Sequence, residues 1–439
     1  MKIVALTGML GYGYSEEALN IAFSEKVDYV GVDAGSTDPG PYYLGSGKSF
    51  TDKNAVARDL RLALPKALNQ KAKFIIGTAG GCGSREHTDW LKNIIYDIAK
   101  EEKLEFKMGV IYSDVSNDYV LKKFKDGKIT NMSPEFPLNE SDILNSKRIV
   151  SQIGAEPIIR MLNEDVDVIL CGRACDTAIY AAPCIFEGYD PGLSFHMAKI
   201  MECGAMCSEP VAAADVMQGY MFKDRFELVP ANPIRKCTVD RVAAHTLYEQ
   251  TNPYLIFEPD GVVDLSECNF TQKDERTVSV TGSRFIKADK KTLKLEGVKQ
   301  SGYRTISPCS VYDKDTIENF DKIISIVSDF VSHNLPDGVT EEDYILNFRT
   351  NGGSESSLGV IIDVVGKTKS VADTICSLAR SRTLHCDFSG RKSTAGNLAF
   401  PFSPSDIHVG EVYEFSVFHL AEVDDFCETS ETVIEEVGM

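Results

Sequence analysis

The residues best suited to chemistry lie between Gly31 and Gly47. This segment holds two carboxylates, Asp33 and Asp38, with two tyrosines, two prolines and five glycines. A structural turn needs only one or two glycines or prolines, because each fixes a particular backbone geometry. The composition therefore predicts the wall of a binding pocket, in which a carboxylate could serve as a base and Tyr42 as an acid.

A second candidate is the glycine-rich loop 78–84, which follows an apolar strand and precedes a helix. Its backbone amides could approach an anion, and the helix N-terminus would favour negative charge. The spacing matches neither a Walker loop nor a dinucleotide fingerprint. The alternative is a tight strand-to-helix turn capped by a serine. The candidate anion-binding residues are Gly80, Gly81, Gly83 and Ser84.

The segment 171–177, Cys-Gly-Arg-Ala-Cys-Asp-Thr, also follows an apolar strand. A guanidinium at the mouth of a parallel sheet is suited to bidentate capture of a carboxylate, so we interpret Arg173 as a substrate clamp. Asp176 could contact substrate or cap the next helix. Arg304, after Gly302 and Tyr303, is a weaker candidate for a second anion contact.

His196 lies on a predicted helix, sharing a face with Lys199, while Glu202 follows about a turn and a half from the histidine. A histidine there could transfer a proton near neutral pH. A hydrogen-bonded core histidine is an equally good interpretation. The same two alternatives apply to His245.

Five cysteines lie between Cys171 and Cys207. Thiolate ligation of zinc or of an iron–sulfur cluster needs closer spacing, typically C-x-x-C, which this stretch lacks. Cysteines spaced by four among alanines often serve as small core residues, so we assign no metal ligands. No motif identifies a cofactor.

The elements that must position these residues follow an α/β pattern. The predicted strands are 2–8, 28–33, 73–79, 106–113 and 166–171, with helices at about 15–25, 52–69, 85–102 and 148–164. This alternation predicts a wound parallel sheet, whose ligands gather outside the carboxyl ends of the strands. The loops 34–47, 80–84 and 171–177 fall there.

Two helices, 176–187 and 192–207, complete the first region, after which the pattern changes. We expect a mixed stretch that ends with a helix at 314–333, and then a small α+β lobe with strands at 344–350 and 358–365, a helix at 368–382 and a strand at 411–420. The acidic tail after residue 421 is expected to fray or lie on the surface. The predicted regions are 1–211, an α/β domain with the ligand-binding loops; 212–343, mixed α+β; and 344–439, a C-terminal α+β lobe.

The charge balance limits the function classes. Lys and Arg number 46 against 65 Asp and Glu, a net charge of −19, whereas a nucleic-acid binder needs a basic face. We expect no nucleic-acid partner and, since no apolar run approaches a membrane span, no membrane contact. The start of the chain reads as a strand without a signal peptide, and its thiols suit a reducing cytoplasm. A chain of this class is expected to form a homo-oligomer.

Several long motifs resemble the acyclic terpene utilisation AtuA family, from residue 1 to about 425. They are Asp33–Gly47, Ala79–Gly83, Gly172–Thr177, Asp190–Gly192, Glu202–Gly204, Gly302–Ile306 and Ala395–Asp406. In this family some members carry a fused C-terminal ferredoxin-like domain and others occur beside a small separate protein. The chain resembles the form without the fused domain, which implies a small partner protein. Cysteines at 82, 171 and 175 depart from the family pattern.

Together these features favour a lyase, a hydratase or dehydratase acting on a small carboxylic acid or its CoA thioester in a catabolic pathway. Arg173 and the amides of 80–83 would anchor the substrate; Asp33 or Asp38 would be the base, and His196 or Tyr42 the acid. The alternative is a non-catalytic subunit that binds an acyl-CoA or acid for partner enzymes. A terpene substrate does not follow from the resemblance.

Overall fold

The computed structural model describes residues 1–354 and 356–438. Two compact units are present, Met1–Lys299 with Phe415–Met439, and Gln300–Glu414. These units differ from the three regions expected from the sequence, because strands beyond residue 211 join the sheet that begins at the N-terminus.

The strands come first. Among the described residues they are β1 (Lys2–Ala5), β2 (Tyr29–Gly35), β3 (Lys73–Gly81), β4 (Phe106–Tyr112), β5 (Ile129–Asn131), β6 (Arg148–Gln152), β7 (Val168–Cys171), β8 (Ser208–Glu209), β9 (Met217–Met221), β10 (Phe226–Pro230), β11 (Lys236–Cys237), β12 (Leu255–Glu258), β13 (Gly261–Asp264), β14 (Asn269–Gln272), β15 (Val278–Thr281), β16 (Arg284–Lys287), β17 (Thr292–Val311), β18 (Tyr344–Ser354), β19 (Ser357–Gly366), β20 (Ile407–Glu422) and β21 (Glu431–Val437).

The helices alternate with the early strands and flank the later ones. In the described part of the chain they are α1 (Glu16–Ala22), α2 (Pro41–Ser46), α3 (Lys53–Gln70), α4 (Arg85–Glu102), α5 (Asn117–Lys125), α6 (Glu140–Leu144), α7 (Ala155–Leu162), α8 (Ala178–Phe186), α9 (Pro191–Met201), α10 (Val239–Thr246), α11 (Lys314–Glu318), α12 (Phe320–His333) and α13 (Lys369–Leu384), with short 3₁₀ helices at Gly204–Cys207 and Glu341–Asp343.

The first unit is built on a large mixed sheet in the order β14-β15-β10-β9-β1-β2-β3-β7-β4-β21. Strands β1, β2, β3, β7 and β4 are parallel to their neighbours within this block. Antiparallel strands extend the block on both sides, through β9 and through β21. The predicted α/β class with a parallel sheet in the N-terminal half is therefore confirmed.

Both faces of this sheet are covered, as parallel sheets require. Alternate residues of one strand enter opposite cores: Ile75 packs with helices α7 to α9, whereas Phe74 and Ile76 pack with helices α1, α3 and α4. The near-continuous apolar runs seen in the sequence follow from this two-sided burial. Only the strand ends are left to carry polar groups.

One prediction of local structure was wrong. The segment 148–164 is not one helix: Arg148–Gln152 forms β6, which pairs with β17, and the helix begins at Ala155. Of the two alternatives for the acidic tail, the structure shows a surface position without fraying. Glu431–Val437 forms β21, which pairs along its whole length with β4 and covers that edge of the sheet. Pairing with distant strands decided both outcomes, which local periodicity does not report.

The second unit is a smaller α+β structure, so the predicted second lobe is also confirmed. Strands β18 and β19 pair antiparallel, and β19 pairs with the C-terminal half of β17. Helices α12 and α13 supply Ile323, Val327, Ile375 and Ala379 to a core shared with Ile362 of the central strand. The helix predicted at 314–333 is interrupted at Asn319, between α11 and α12.

None of the helices in the described residues combines the length and apolar character needed to cross a membrane.

Candidate functional site

Three of the loops predicted to bind a ligand follow neighbouring parallel strands. Strands β2, β3 and β7 are adjacent in the sheet, and their carboxyl ends lead into segments 36–47, 82–84 and 172–177. Ligands of wound α/β sheets bind at this edge. The structure thus brings the three loops together in the first unit.

The glycines of these loops are needed where the loops touch one another. A Cβ atom at Gly35 would lie 2.0 Å from the carbonyl oxygen of Gly81, and one at Gly83 would lie 2.1 Å from the backbone nitrogen of Arg173. A Cβ at Gly80 would meet the carbonyl oxygen of His87 at 2.6 Å. These glycines were predicted to let a ligand approach the backbone closely. In the structure, neighbouring backbone atoms occupy the space beside them. We call these contacts the glycine interlock.

Ser84 stands at the start of α4 without capping it through its side chain. Its hydroxyl lies 2.7 Å from Nδ1 of His87 and 3.1 Å from a carboxylate oxygen of Glu86, and the serine is fully buried. These partners hold the turn between β3 and α4. The serine is therefore used in the local fold and is not presented to solvent as an anion contact.

The glycine interlock predicts a stability difference between two glycines of equal φ. Gly83 and Gly127 both have φ of +67°, but nothing lies within 4 Å of a Cβ at Gly127. We expect Gly127→Ala to lose about 1 kcal/mol, since only the left-handed backbone is penalised. Gly83→Ala should lose about 3 kcal/mol, because the new methyl group also displaces the Arg173 backbone. Urea unfolding of both variants measures the difference; equal losses would contradict the interlock.

Arg173 is buried in an ion network. Its Nε donates to Glu296 at 2.8 Å, and its Nη1 donates to the carbonyl oxygen of Ala174 at 3.1 Å and to Oγ1 of Thr78 at 3.3 Å. The residue is only 3% exposed. Its Nε and Nη1 are thus used by protein partners, so a bidentate clamp of the kind predicted from the sequence would require breaking at least one of these hydrogen bonds.

Glu296 is the centre of this network. It also accepts from Oγ1 of Thr37 at 2.9 Å and faces Nζ of Lys294 at 2.7 Å. Burial by itself would raise the pKa of this carboxyl, but Arg173 and Lys294 outweigh it and bring the pKa down to about 2. The carboxylate stays ionised and ties β17 to the loops after β2 and β7.

Two aspartates lie beside Arg173 with unsatisfied oxygens. Asp33 accepts from the amide of Gly35 at 3.3 Å, while its Oδ1 has no hydrogen-bond partner among the described residues. Oδ1 of Asp176 is 3.6 Å from the guanidinium but likewise makes no hydrogen bond within the described chain. Burial, then the charge of Asp176, raises the pKa of Asp33 well above its ordinary value. Burial also raises the pKa of Asp176. Burial therefore favours the protonated form of each carboxyl.

Helix α9 and the residue after it add a lysine and a glutamate to this region. Nζ of Lys199 lies 2.5 Å from Glu202 and 3.4 Å from the exposed Glu249. Burial raises the pKa of Glu202 to about 8: Lys199 opposes the shift, while the charges of Asp176 and Glu258 add to it. Glu202 is thus a carboxylic acid that holds its proton near neutral pH.

Glu258, at the end of β12, is the second glutamate of this kind. It accepts a hydrogen bond from Oγ1 of Thr177 at 2.6 Å and contacts Sγ of Cys175 at 3.5 Å. Burial raises its pKa to about 7, against the effect of these two hydrogen bonds. Its pKa therefore lies close to, but below, that of Glu202.

Solvent reaches part of this group of residues. The side chain of Asp176 keeps 37% of its exposure although surrounding protein raises its pKa. Cys175 and Glu258 are likewise half-buried while burial raises the pKa of each. The charges of the group act on one another's pKa values, which places its members close together. We call this group the acidic recess; it comprises Asp33, Asp176, Lys199, Glu202 and Glu258.

Tyr180 lies fully buried below the acidic recess, on α8. Its hydroxyl has no partner among the described residues. Burial raises its pKa, and the charges of Asp33 and Glu202 add to the shift, which places the ring close to both carboxyls. Together with Oδ1 of Asp33 and Oδ1 of Asp176, it leaves three buried polar atoms at the recess without a hydrogen bond from the described residues, as is common where a ligand or water binds.

The other residues that the sequence predicted as site residues lie at the rim of the acidic recess or outside it. Asp38 is exposed and accepts from Oγ of Ser36 at 2.6 Å; its charge still raises the pKa of Asp176, so it belongs to the rim of the acidic recess. The hydroxyl of Tyr42 faces Nζ of Lys48 at 3.4 Å. Arg304 belongs to the second unit, where its Nε lies 3.0 Å from Asp363.

His196 is used within the core. Its Nδ1 lies 2.7 Å from Oγ of Ser283 and its Nε2 lies 3.0 Å from Oγ1 of Thr246. It is fully buried, and burial lowers its pKa to about 3, so the ring stays neutral. Of the two alternatives open in the sequence, the geometry favours the hydrogen-bonded core histidine over the acid.

His245 lies near Lys199, and one of its ring nitrogens has no hydrogen-bond partner among the described residues. Its ring stacks on Tyr248 with centroids 5.3 Å apart, and Nε2 has no hydrogen-bond partner in the described chain. Burial, and then the charge of Lys199, lowers its pKa to about 4. The neutral ring therefore lies close to the lysine of the acidic recess.

The cysteines are all free thiols within the described residues, and no group of three His, Cys, Asp or Glu side chains there is arranged to hold a metal ion.

Sequence reasoning identified Asp33 and Asp176 but missed Glu258 as a member of the site. Glu258 lies in a short strand 81 residues from its partner Thr177, and no local motif marks it. The signal that could have found Glu202 was present: it follows Lys199 by three residues, directly after a helix that is mostly apolar. Charged side chains are rarely buried unless they are paired or functional, so a lysine and a glutamate at this place indicate one or the other.

Comparisons with known proteins give one result. The family model described as acyclic terpene utilisation family protein AtuA matches residues 2–219 and 232–379. Neither the curated proteins nor the solved structures gave a match. The family description names the utilisation of acyclic terpenes, which indicates a catabolic role. The matched residues make up most of the chain, which therefore belongs to the acyclic terpene utilisation AtuA family.

Proposed function

We propose that the protein is a hydro-lyase that adds water to, or removes it from, a small carboxylic acid or its CoA thioester. One observation carries this proposal: two glutamates with pKa values of about 7 and about 8 face the acidic recess at the carboxyl edge of the sheet. A pair of carboxyls whose environments separate their pKa values can provide a base and an acid at the same pH.

We assign the roles from the surroundings of the two carboxyls. Glu258 accepts hydrogen bonds from Thr177 and Cys175, which favour its ionised form, whereas burial and the charges of Asp176 and Glu258 favour the protonated form of Glu202. Glu258 would remove the proton from the carbon next to the carbonyl. Glu202 would protonate the departing hydroxyl, so that an alkene and water leave and the two glutamates exchange protonation states. Hydration runs the same steps in reverse.

Charge favours the thioester over the free acid. A free carboxylate would lie against the ionised base Glu258, while Arg173 is already bonded to Glu296. Like charges in a partly enclosed site repel an anion. A thioester carbonyl is neutral, and it acidifies the neighbouring C–H bond. The acyl group of a CoA ester is thus the better fit to the recess.

The test is proton NMR in D₂O with the purified chain, with and without a small partner protein, against hydroxy and unsaturated acids and their CoA esters. We expect interconversion of a hydroxyacyl thioester with its alkene, or deuterium incorporation next to the carbonyl. Neither change on any substrate, together with ligand-induced thermal stabilisation, would instead support a non-catalytic subunit that binds an acyl-CoA or acid. Light scattering of the same sample measures the expected homo-oligomer.

A further inference from the structure

A second cavity in the first unit has a largely apolar lining. It measures about 420 Å³ and is formed by residues of α7, α8, α9, β16 and the segment after β20. The apolar lining residues are Ile159, Ile185, Pro191, Phe195, Phe285 and Phe426. The rings of Phe195 and Phe285 stack with centroids 5.3 Å apart at an angle of 19°. This cavity, the apolar pocket, shares no lining residue with the acidic recess.

The carboxylates around the apolar pocket already have partners. Arg160 contacts Glu156 at 3.3 Å and both oxygens of Asp425 at 2.9 and 3.0 Å. Asp260 accepts from the backbone amide of Ala155 at 3.2 Å; burial raises its pKa, and the charge of Lys287 opposes this shift. Each acidic side chain of the lining is therefore held by a neighbouring donor or cation.

The remaining charged residues of the lining are two lysines. Lys287 lines the apolar pocket, is exposed, and makes no hydrogen bond or ion pair with any described residue. Nζ of Lys291 donates only to the carbonyl oxygen of Asp424, at 3.1 Å, and lies 5.5 Å from the ring centroid of Phe426. The two ammonium groups are thus cations at the pocket that no carboxylate binds through a hydrogen bond among the described residues, although they act on Asp260 and Asp425 through their charge.

We propose that the apolar pocket binds an organic anion with an aliphatic chain, namely a medium-chain carboxylate. The carboxylate pairs with Lys287 and Lys291, and the chain lies against Phe195, Phe285 and Ile185. Cavities of this size, mostly apolar with a few placed polar groups, are typical small-molecule sites. Desolvation of the chain supplies affinity, and the lysines select the charge of the head group. This proposal does not depend on the hydro-lyase activity.

Octanoate is the probe, titrated into the full chain by calorimetry, with 1-octanol and acetate as comparisons. We expect octanoate to saturate a single site, octanol to bind at least about tenfold more weakly, and acetate to give no signal. Affinity should rise about fourfold per methylene from hexanoate to octanoate, because each added CH₂ leaves water. No saturable binding up to millimolar octanoate would overturn the proposal, as would affinity that is independent of chain length.

Two matched lysine variants locate the site. Lys287→Glu should weaken octanoate binding at least about tenfold by placing a like charge at the rim. Lys290→Glu is the control, because Lys290 is exposed, pairs with Glu422 at 3.0 Å and does not line the cavity. Both substitutions are at exposed positions, so folding should be retained. Equal affinity in both variants would place octanoate elsewhere and overturn the assignment.

Discussion

Replacing Arg173 with methionine is expected to lower the free energy of unfolding by about 3–5 kcal/mol, the usual cost of leaving one partner of a buried ion pair uncompensated. Glu296 is fully buried and has its pKa held near 2 by Arg173 and Lys294. Without the guanidinium, the carboxylate keeps only Lys294 and Thr37. Urea unfolding of wild type and variant at neutral pH measures the difference.

Arg61→Met is the matched control for this loss. Arg61 makes an equally short ion pair, 2.6 Å to Glu101, but both side chains are about half exposed. Its removal should cost no more than about 1 kcal/mol. The double variant Arg173→Met with Glu296→Leu should recover part of the stability, because no buried charge is left unpaired. If Arg173→Met instead unfolds like wild type and only weakens substrate binding, the clamp predicted from the sequence is correct.

Glu202→Gln should reduce kcat by about 10²–10⁴-fold on the substrate that the NMR experiment identifies, with a small change in KM. Glutamine keeps the shape of the side chain but has no proton to transfer. The pH profile gives a sharper readout. A base works ionised, so the rate should rise as pH increases through about 7; an acid works protonated, so the rate should fall above about 8. Glu202→Gln should lose the fall and Glu258→Gln the rise.

Glu249→Gln provides the comparison, since Glu249 contacts the same lysine at 3.4 Å but is 55% exposed. Its effect on kcat should stay within about tenfold. A general loss of charge around Lys199 would lower both variants alike, and that result would count against a specific acid role. Full activity in Glu202→Gln would exclude Glu202 as the acid.

The sequence predicted the edge of the sheet that carries the site, because glycine-rich loops followed apolar strands at three places. It also identified Asp33 and Asp176, which lie in those loops. It did not predict what Arg173 does, since Glu296 is 123 residues away and belongs to a strand with no distinctive motif. A free guanidinium and a paired one look the same in sequence.

His196 shows the converse difficulty. A histidine near a lysine and a glutamate on one helix suggested proton transfer, but helix α9 is buried on all sides. The partners that fix the ring, Ser283 and Thr246, come from two other elements. Burial from several directions is a tertiary property, and helical spacing reports only one face at a time.

The glycine interlock bears on how this site can diversify. Where loops pack backbone against backbone at Gly35 and Gly83, larger residues do not fit, so these positions leave little room for variation. New substrate preferences must then arise from side chains on the surrounding elements, such as Lys199, Glu202 and Glu258. A library aimed at altered selectivity should randomise those positions and leave the glycines alone, which is the opposite of the usual loop-grafting strategy on wound α/β enzymes.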